Sequence, residues 1–337
     1  MQIKYIVAAI AAAIPLFASA ADTAVQLYGI VDMALAREDA DAPGVESTTK
    51  MHAGREANRF GFRGTEDLGN GLTAMFNLEG GFDASTGIGD SALFGRRAVV
   101  GLQGGFGELT LGREYTPLDN VSGATTTMGQ GYYGSNLNAF TQGGMTRRIS
   151  NSINYKTVAT SGFRLSAAVG LGENPVSGPS NNYYGIGADY KNGPLFVGAG
   201  YGQTERAAGD DKEYIVGAAY KIGIAELKAN YMRHNRASDN NTFTQINAGV
   251  GFGMGPGTLF LGVQQNEFDL GGKGRGVAAA YQYNLSKRTF VYASVGYLKN
   301  DSQSTFALAS TGSQVTPPAT AFGADPRAVA IGVRHAF

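Results

Sequence analysis

The chain has 337 residues with 27 Lys and Arg against 27 Asp and Glu. That balance excludes a nucleic-acid partner held by bulk charge. It contains no Cys and no Trp but 50 Gly, 17 Tyr and 18 Phe. Its apolar residues are spread along the chain instead of being gathered into the Leu, Ile and Val runs of one soluble core.

In chain order, Lys4 precedes an apolar run from Tyr5 to Ala13, and Ala18-Ser19-Ala20 closes the segment with small residues. This is the pattern of a secretory leader, with cleavage expected after Ala20 and one mature domain over 21–337. No later stretch offers the length of about 20 apolar residues that a membrane helix needs.

From Val25 to Phe337 the dominant period is two residues, and helical periodicity is close to absent. Leu72, Ala74, Phe76 and Leu78 alternate with Thr73, Met75, Asn77 and Glu79. Phe163, Leu165, Ala167 and Val169 alternate with Arg164 and Ser166, and Tyr214, Val216, Ala218 and Tyr220 with Gly217 and Lys221. One greasy and one polar face per strand suits a membrane-spanning β-barrel. Tyr28, Tyr155, Tyr190, Tyr201, Tyr220, Tyr231, Tyr281, Tyr283, Tyr292 and Tyr297 are expected near strand ends or on the apolar face.

Seven tight turns are expected at 68–71, 104–107, 159–162, 192–194, 223–224, 254–257 and 286–288, where Gly, Asn, Pro and Ser supply turn dihedrals. Between them lie eight longer polar stretches, roughly 38–54, 84–91, 115–146, 173–181, 205–211, 236–241, 269–273 and 301–325. Eight loops joined through seven turns require sixteen antiparallel strands in an up-and-down barrel. At about 10 residues per tilted strand the length accommodates them. A propeller of similar period would carry blade signatures such as Trp-Asp, which a chain without Trp lacks.

The chain resembles the general, trimeric, sixteen-stranded porins of Gram-negative β-proteobacteria. The resemblance covers nearly its whole length. It is carried by Val25-Gln26-Leu27-Tyr28-Gly29-Ile30-Val31-Asp32, by Arg59-Phe60-Gly61-Phe62-Arg63-Gly64-Thr65-Glu66-Asp67-Leu68-Gly69-Asn70-Gly71-Leu72 and by Val100-Gly101-Leu102. Phe106 to Arg113, Asn151 to Tyr155 and Gly332-Val333-Arg334-His335-Ala336-Phe337 complete it. It implies a passive, water-filled outer-membrane channel for ions and small hydrophilic solutes, a homotrimer in outer-membrane lipid, no enzymatic activity and no cofactor.

It also implies that the third loop, Tyr115 to Thr146, folds into the lumen, where Glu114 and Asp119 supply the acidic side of a constriction. Opposite them, strand parity points Arg59 and Arg63 inward because Phe60 and Phe62 take the other face. Arg148 follows if Ile149, Ile153 and Tyr155 face outward. One of Arg96 and Arg97 faces the lumen, and the family pattern favours Arg96. Arg59, Arg96 and Arg148 against Glu114 and Asp119 give a positive balance and an expected preference for small anions, unless the arginines only neutralise wall carboxylates such as Glu79 and Glu108. The terminal Phe337, with Val333, Ile331 and Val329 at alternate positions, has the form of an assembly signal, since the last strand must pair with the first to remove exposed edges.

Other signals carry less. Gly249-Val250-Gly251-Phe252-Gly253 has no following helix and reads as small packing positions rather than a nucleotide loop. His52 in an outer loop, His234 near a strand end and His335 at the terminus form neither a metal cluster nor a nucleophile pair. A barrel enzyme or a plugged structural barrel would need a rim constellation or an occluding segment instead.

Overall fold

The computed structural model describes residues 24–173 and 180–337, and the leader expected over 1–20 lies outside them. The strands are β1 (Ala24–Asp39), β2 (Thr48–His52), β3 (Arg59–Gly69), β4 (Leu72–Gly81), β5 (Arg97–Gly104), β6 (Gly107–Tyr115) and β7 (Arg148–Lys156). They continue as β8 (Phe163–Gly170), β9 (Tyr183–Asn192), β10 (Leu195–Thr204), β11 (Asp211–Ile222), β12 (Ala225–Asn235) and β13 (Thr242–Met254). The last are β14 (Gly257–Phe268), β15 (Gly272–Asn284), β16 (Thr289–Asn300), β17 (Leu308–Ala309), β18 (Gln314–Val315) and β19 (Arg327–Ala336).

β2 and β3 are two halves of one wall strand, because both pair with β1. Thr48–His52 lies opposite Ala34–Glu38, and Arg59–Thr65 lies opposite Ala24–Ile30. β1 also pairs along Ile30–Asp39 with β19, which closes the sheet. With the short β17–β18 ribbon set aside, the wall is a closed barrel of sixteen antiparallel strands. All seven tight turns fall where the turn residues place them. Asn70 and Gly71, with φ of 52° and 75°, show why the dipeptide is Asn-Gly: a two-residue hairpin turn of this hand needs positive φ at both positions.

Alternation sets the two faces. Along β16, Phe290, Tyr292, Ser294, Gly296, Leu298 and Asn300 are buried on the inner side, while Val291, Ala293, Val295, Tyr297 and Lys299 are exposed on the outer side. The outer face is apolar on strand after strand, with Leu27, Val100, Leu165, Val216, Leu261 and Ile331 all exposed. In a closed barrel that is the lipid face, since every backbone group is already paired.

Tyr28 and Tyr292 stand near strand starts, as expected, and turn inward: the Tyr28 hydroxyl donates to Asn77 and Glu79 at 3.0 Å each, and that of Tyr292 to Asp32. One expectation is corrected. His52 is buried in β2 instead of lying in a loop. The connection from 116 to 147 contains two helices, α1 (Pro117–Thr125) and α2 (Asn138–Thr141). Thr116 caps α1 by accepting from the Asp119 amide at 3.2 Å, and Pro117 follows it, a start signal that the search for period alone passed over.

Candidate functional site

The break between β2 and β3 is organised by one buried carboxylate. Asp32 accepts from the amides of Gly54, Arg55 and Glu56 at 3.2, 3.1 and 2.8 Å, and its own amide donates to Asn58 Oδ1 at 2.6 Å. Residues 53–58 therefore leave the ladder in a fixed shape. Arg55 projects from this break, donating to the Gly129 carbonyl at 3.0 Å and lying 5.0 Å over the Tyr132 ring. Sequence parity could not find Arg55, because a residue outside a strand has no parity.

Arg59 lies on the inner face, opposite Ile30 and Gly81, within 3.6 Å of Glu56 and 3.7 Å of Glu79. Arg63, on the same face, donates both Nε and Nη2 to Gln26. The expectation that only one of Arg96 and Arg97 turns inward is overturned. Arg97 is the first residue of β5, opposite the inward Glu79, and its Nε donates to Glu114 at 2.9 Å. Arg96 precedes the strand and escapes its alternation, so it also turns inward, bonding Glu79 at 2.7 Å and the Tyr115 hydroxyl at 3.1 Å.

Arg148 is a second correction. The β6–β7 register shifts between Gly112 and Glu114, and Asn151 has φ of 51°, so parity reverses within β7. Ile149 consequently turns inward and packs with Ala168 and Tyr183. Arg148 lies over the Tyr115 ring at 4.5 Å and donates at 2.9 Å to the hydroxyl that Arg96 also bonds. Arg147, one residue earlier, lines the central cavity, with Nε 3.1 Å from Asp119 Oδ1 and Nη2 3.0 Å from Gln130 Oε1.

The 116–147 segment lies against inward-parity positions of the wall where side chains are small. Leu118 meets Gly200, Val121 meets Gly198, Thr125 meets Gly217, Thr127 meets Gly249, Met128 meets Gly262 and Tyr133 meets Gly296. This accounts for Gly249 as a packing position. The far end of the segment is tied to β11 and β12. Glu213 accepts from the amide and hydroxyl of Thr146 at 2.9 and 2.7 Å, and His234 bonds the Gly143 carbonyl at 2.7 Å. Asp119 is buried. Burial pushes its carboxyl above the ordinary range, with the Arg147 guanidinium pulling the other way.

These groups line a polar cavity of about 1050 Å³. Its cations are Arg55, Arg59, Arg63, Arg96, Arg97, Arg147, Lys156, Lys228, Arg288 and Arg334, and its side-chain carboxylates are Glu56, Glu79, Glu114, Asp119 and Glu226. Each of the five carboxylates already has a basic partner within 4 Å: Arg59 and Arg334 for Glu56, Arg59 and Arg96 for Glu79, Arg97, Arg147 and Lys228 for the rest. Pairing with Glu79 is thus real for Arg59 and Arg96, and Glu108 holds Lys156 at 3.7 Å, yet ten basic side chains face five side-chain carboxylates. Among the described residues no cluster of His, Asp or Glu has the form of a metal site. Phe337 continues the β19 ladder, exchanging both backbone hydrogen bonds with Gly29 at 3.1 Å.

Residues 7–303 match the family model described as Gram-negative porin. The chain is 31% identical over 369 residues to outer membrane porin protein 32 of Delftia acidovorans, covering 95% of this chain and 96% of that one. Among solved structures it is similar to an anion-selective porin from Comamonas acidovorans, with a TM-score of 0.82 and 29% identity over 94% of this chain and 100% of that one. A trimer form of the Vibrio cholerae outer-membrane protein OmpT shares the fold at a TM-score of 0.67 and 18% identity, over 94% and 99% of the two chains.

Proposed function

Since this chain belongs to the Gram-negative porin family and is a passive outer-membrane channel rather than an enzyme, we propose that it conducts small anions in preference to cations. The selecting element is a constriction between the 116–147 loop, folded into the lumen, and the arginine wall of β3 to β6. The observation that carries this reading is the charge of the cavity, where ten basic side chains face five side-chain carboxylates that are all paired. The whole chain is neutral by formal charge. The surplus is therefore local to the pathway, where low-dielectric walls focus the field.

Arginine suits the task because its guanidinium stays charged at any physiological pH and keeps donors free after one ion pair. Arg59, Arg96 and Arg97 on one wall face Asp119 and Arg147 of the loop, and the passing solute meets donors on both sides. The similar Comamonas structure is titled an anion-selective porin, which agrees with this reading. We further propose a homotrimer, on the family resemblance, and a role for Phe337 in assembly through its pairing with Gly29.

The test is the reversal potential of single channels in a planar bilayer under a salt gradient. Wild type should reverse toward the anion equilibrium potential. Replacing Arg96 and Arg97 together by Gln should move it toward zero. A cation-directed reversal in wild type would refute the proposal. Unheated, detergent-extracted protein should migrate as a trimer, and migration as a monomer would remove the assembly reading while leaving the channel reading intact.

A further inference from the structure

A second recess opens into the lumen at its tight-turn end, away from the arginine wall. It has a volume of about 630 Å³ and lies between Ala124, at the end of α1, and the wall from β8 to β12. The turns at 159–162 and 192–194 form its lip, and in outer-membrane barrels such short turns face the periplasm. Its lining shares only Glu226 with that of the central cavity.

Parity places the chemistry of this recess. Lys191 shares the inward side of β9 with Gly187 and Asp189, and Lys221 shares that of β11 with Gly217 and Ala219. β10 runs between these two strands. Its Phe196 stands opposite Lys191 on one side and opposite Ala219 on the other. The ring leans toward Gly198, against which Val121 of α1 also packs. An aromatic floor therefore lies between two strands that each present an inward lysine.

The two lysines are uncompensated. Arg164 donates Nε and Nη2 to Asp189 at 3.0 and 3.2 Å, and Glu226, opposite Lys221 in the register, holds Lys228 at 3.3 Å instead. Among the described residues neither Lys191 nor Lys221 has a carboxylate within 4 Å. Lys156 and Lys228, which line the central cavity, each have one, Glu108 at 3.7 Å and Glu226 at 3.3 Å. Unpaired positive charge and apolar surface thus meet in one concavity of the size that small ligands fill.

We propose that this recess binds organic carboxylates with an apolar, ring-sized body, the carboxylate between Lys191 and Lys221 and the body on Phe196 below Ala124. A lysine ammonium is a strongly hydrated point charge on a flexible stem, so it holds a carboxylate loosely, and a solute bound in a channel must also leave. The apolar body supplies the discrimination, because an inorganic anion gains nothing from Phe196. The site rests on the lumen's opening to the periplasm and not on the anion preference of the constriction.

Fluorine NMR of para-fluorophenylacetate titrated with the detergent-purified protein tests it. The double variant Lys191→Gln, Lys221→Gln should bind the probe at least about fivefold more weakly than wild type, and Phe196→Ala should weaken it comparably. The neutral para-fluorophenylacetamide should bind wild type and the lysine variant equally weakly. Arg96→Gln with Arg97→Gln should bind the carboxylate as wild type does. The reversal potential in a KCl gradient should be the same for wild type and the lysine variant, so a failure of anion preference and a failure of this site are read separately. Equal binding of the carboxylate by wild type and the lysine variant would overturn the proposal. So would binding of the amide as tight as that of the carboxylate, or loss of the probe in the Arg96, Arg97 variant with retention in the lysine variant, which would move it to the constriction.

Discussion

The two halves of the inner wall are built from different chemistry. From β1 to β6 the inward positions carry Arg59, Arg63, Glu79, Arg97 and Glu114, while from β10 to β16 they carry Gly198, Gly217, Asn230, Gln245, Asn247, Gln264, Asn266 and Ser294. The second half is the one covered by the 116–147 segment, and there an unpaired charge would be buried at a cost of several kcal/mol. Neutral amides and glycines dominate there, the buried carboxylate Glu213 being held by the Thr146 amide and hydroxyl and Lys228 by Glu226, and several amides bond the segment directly, Asn230 to the Thr125 carbonyl at 3.0 Å and Asn247 to that of Gly134 at 3.1 Å. The charged half faces the cavity, where water keeps ions soluble. Position relative to the covering segment, rather than strand identity, decides which half can carry charge.

The strongest way to break this division is to orphan a charge on the charged side. Arg96→Ala leaves Glu79 with the Tyr28 hydroxyl and the longer contact to Arg59, and Arg97→Ala leaves Glu114 without a basic partner. Removing one partner of such a buried pair costs about 3–5 kcal/mol. The double Ala variant should therefore melt markedly earlier than wild type by circular dichroism and lose the proposed anion preference. Unchanged melting would mean that water already screens these pairs.

The neutral half is broken by bulk instead. A Cβ at Gly217 would lie 2.5 Å from Thr125 Oγ1, so Gly217→Val should force α1 off the wall, an overpacking that costs about 1–3 kcal/mol. The displaced helix should lower single-channel conductance, and adding Thr125→Ala should restore part of it. No change in conductance would show that this contact does not set the pore's width.

How much of this the sequence carried follows the same division. The barrel, its strand number and its turns were legible because alternation and turn chemistry are local and repeat sixteen times. Arg59 and Arg63 were legible because β3 is regular where they stand. Arg55, Arg96 and Arg148 lie at a break, before a strand start and next to a bulge, where one residue of slippage reverses the face. The bulge had a local mark in Asn151, a residue tolerant of positive φ. Arg55 had none, since its position depends on Asp32, 23 residues away.

Asp119 offers a finer probe of the boundary between the halves, being the acidic group of the covering segment that faces the cavity. Its carboxyl is raised by burial, so it takes up a proton at a higher pH than an ordinary carboxylate as the solution is acidified. Protonation removes one negative charge opposite the arginine wall. The proposed anion preference should then strengthen as pH falls through the raised range, seen as a reversal potential moving further toward the anion limit. In Asp119→Asn that early step should vanish, leaving the later response of the other carboxylates. An identical profile in the variant would assign the step to another group.

The smallest expected effect separates two adjacent arginines. Arg147 lines the cavity and holds Asp119 and Gln130, whereas Arg148 lies over Tyr115. Arg147→Ala should shift the reversal potential toward zero and free the segment's Asp119. Arg148→Ala removes a cation–π contact worth about 0.5–2 kcal/mol and should leave selectivity near that of wild type. Measuring both variants in one salt gradient turns the register shift of β7 into an electrical readout. If Arg148→Ala moved the reversal potential as far as Arg147→Ala, the parity reversal at Asn151 would not hold in the membrane, and Ile149 would have to face lipid.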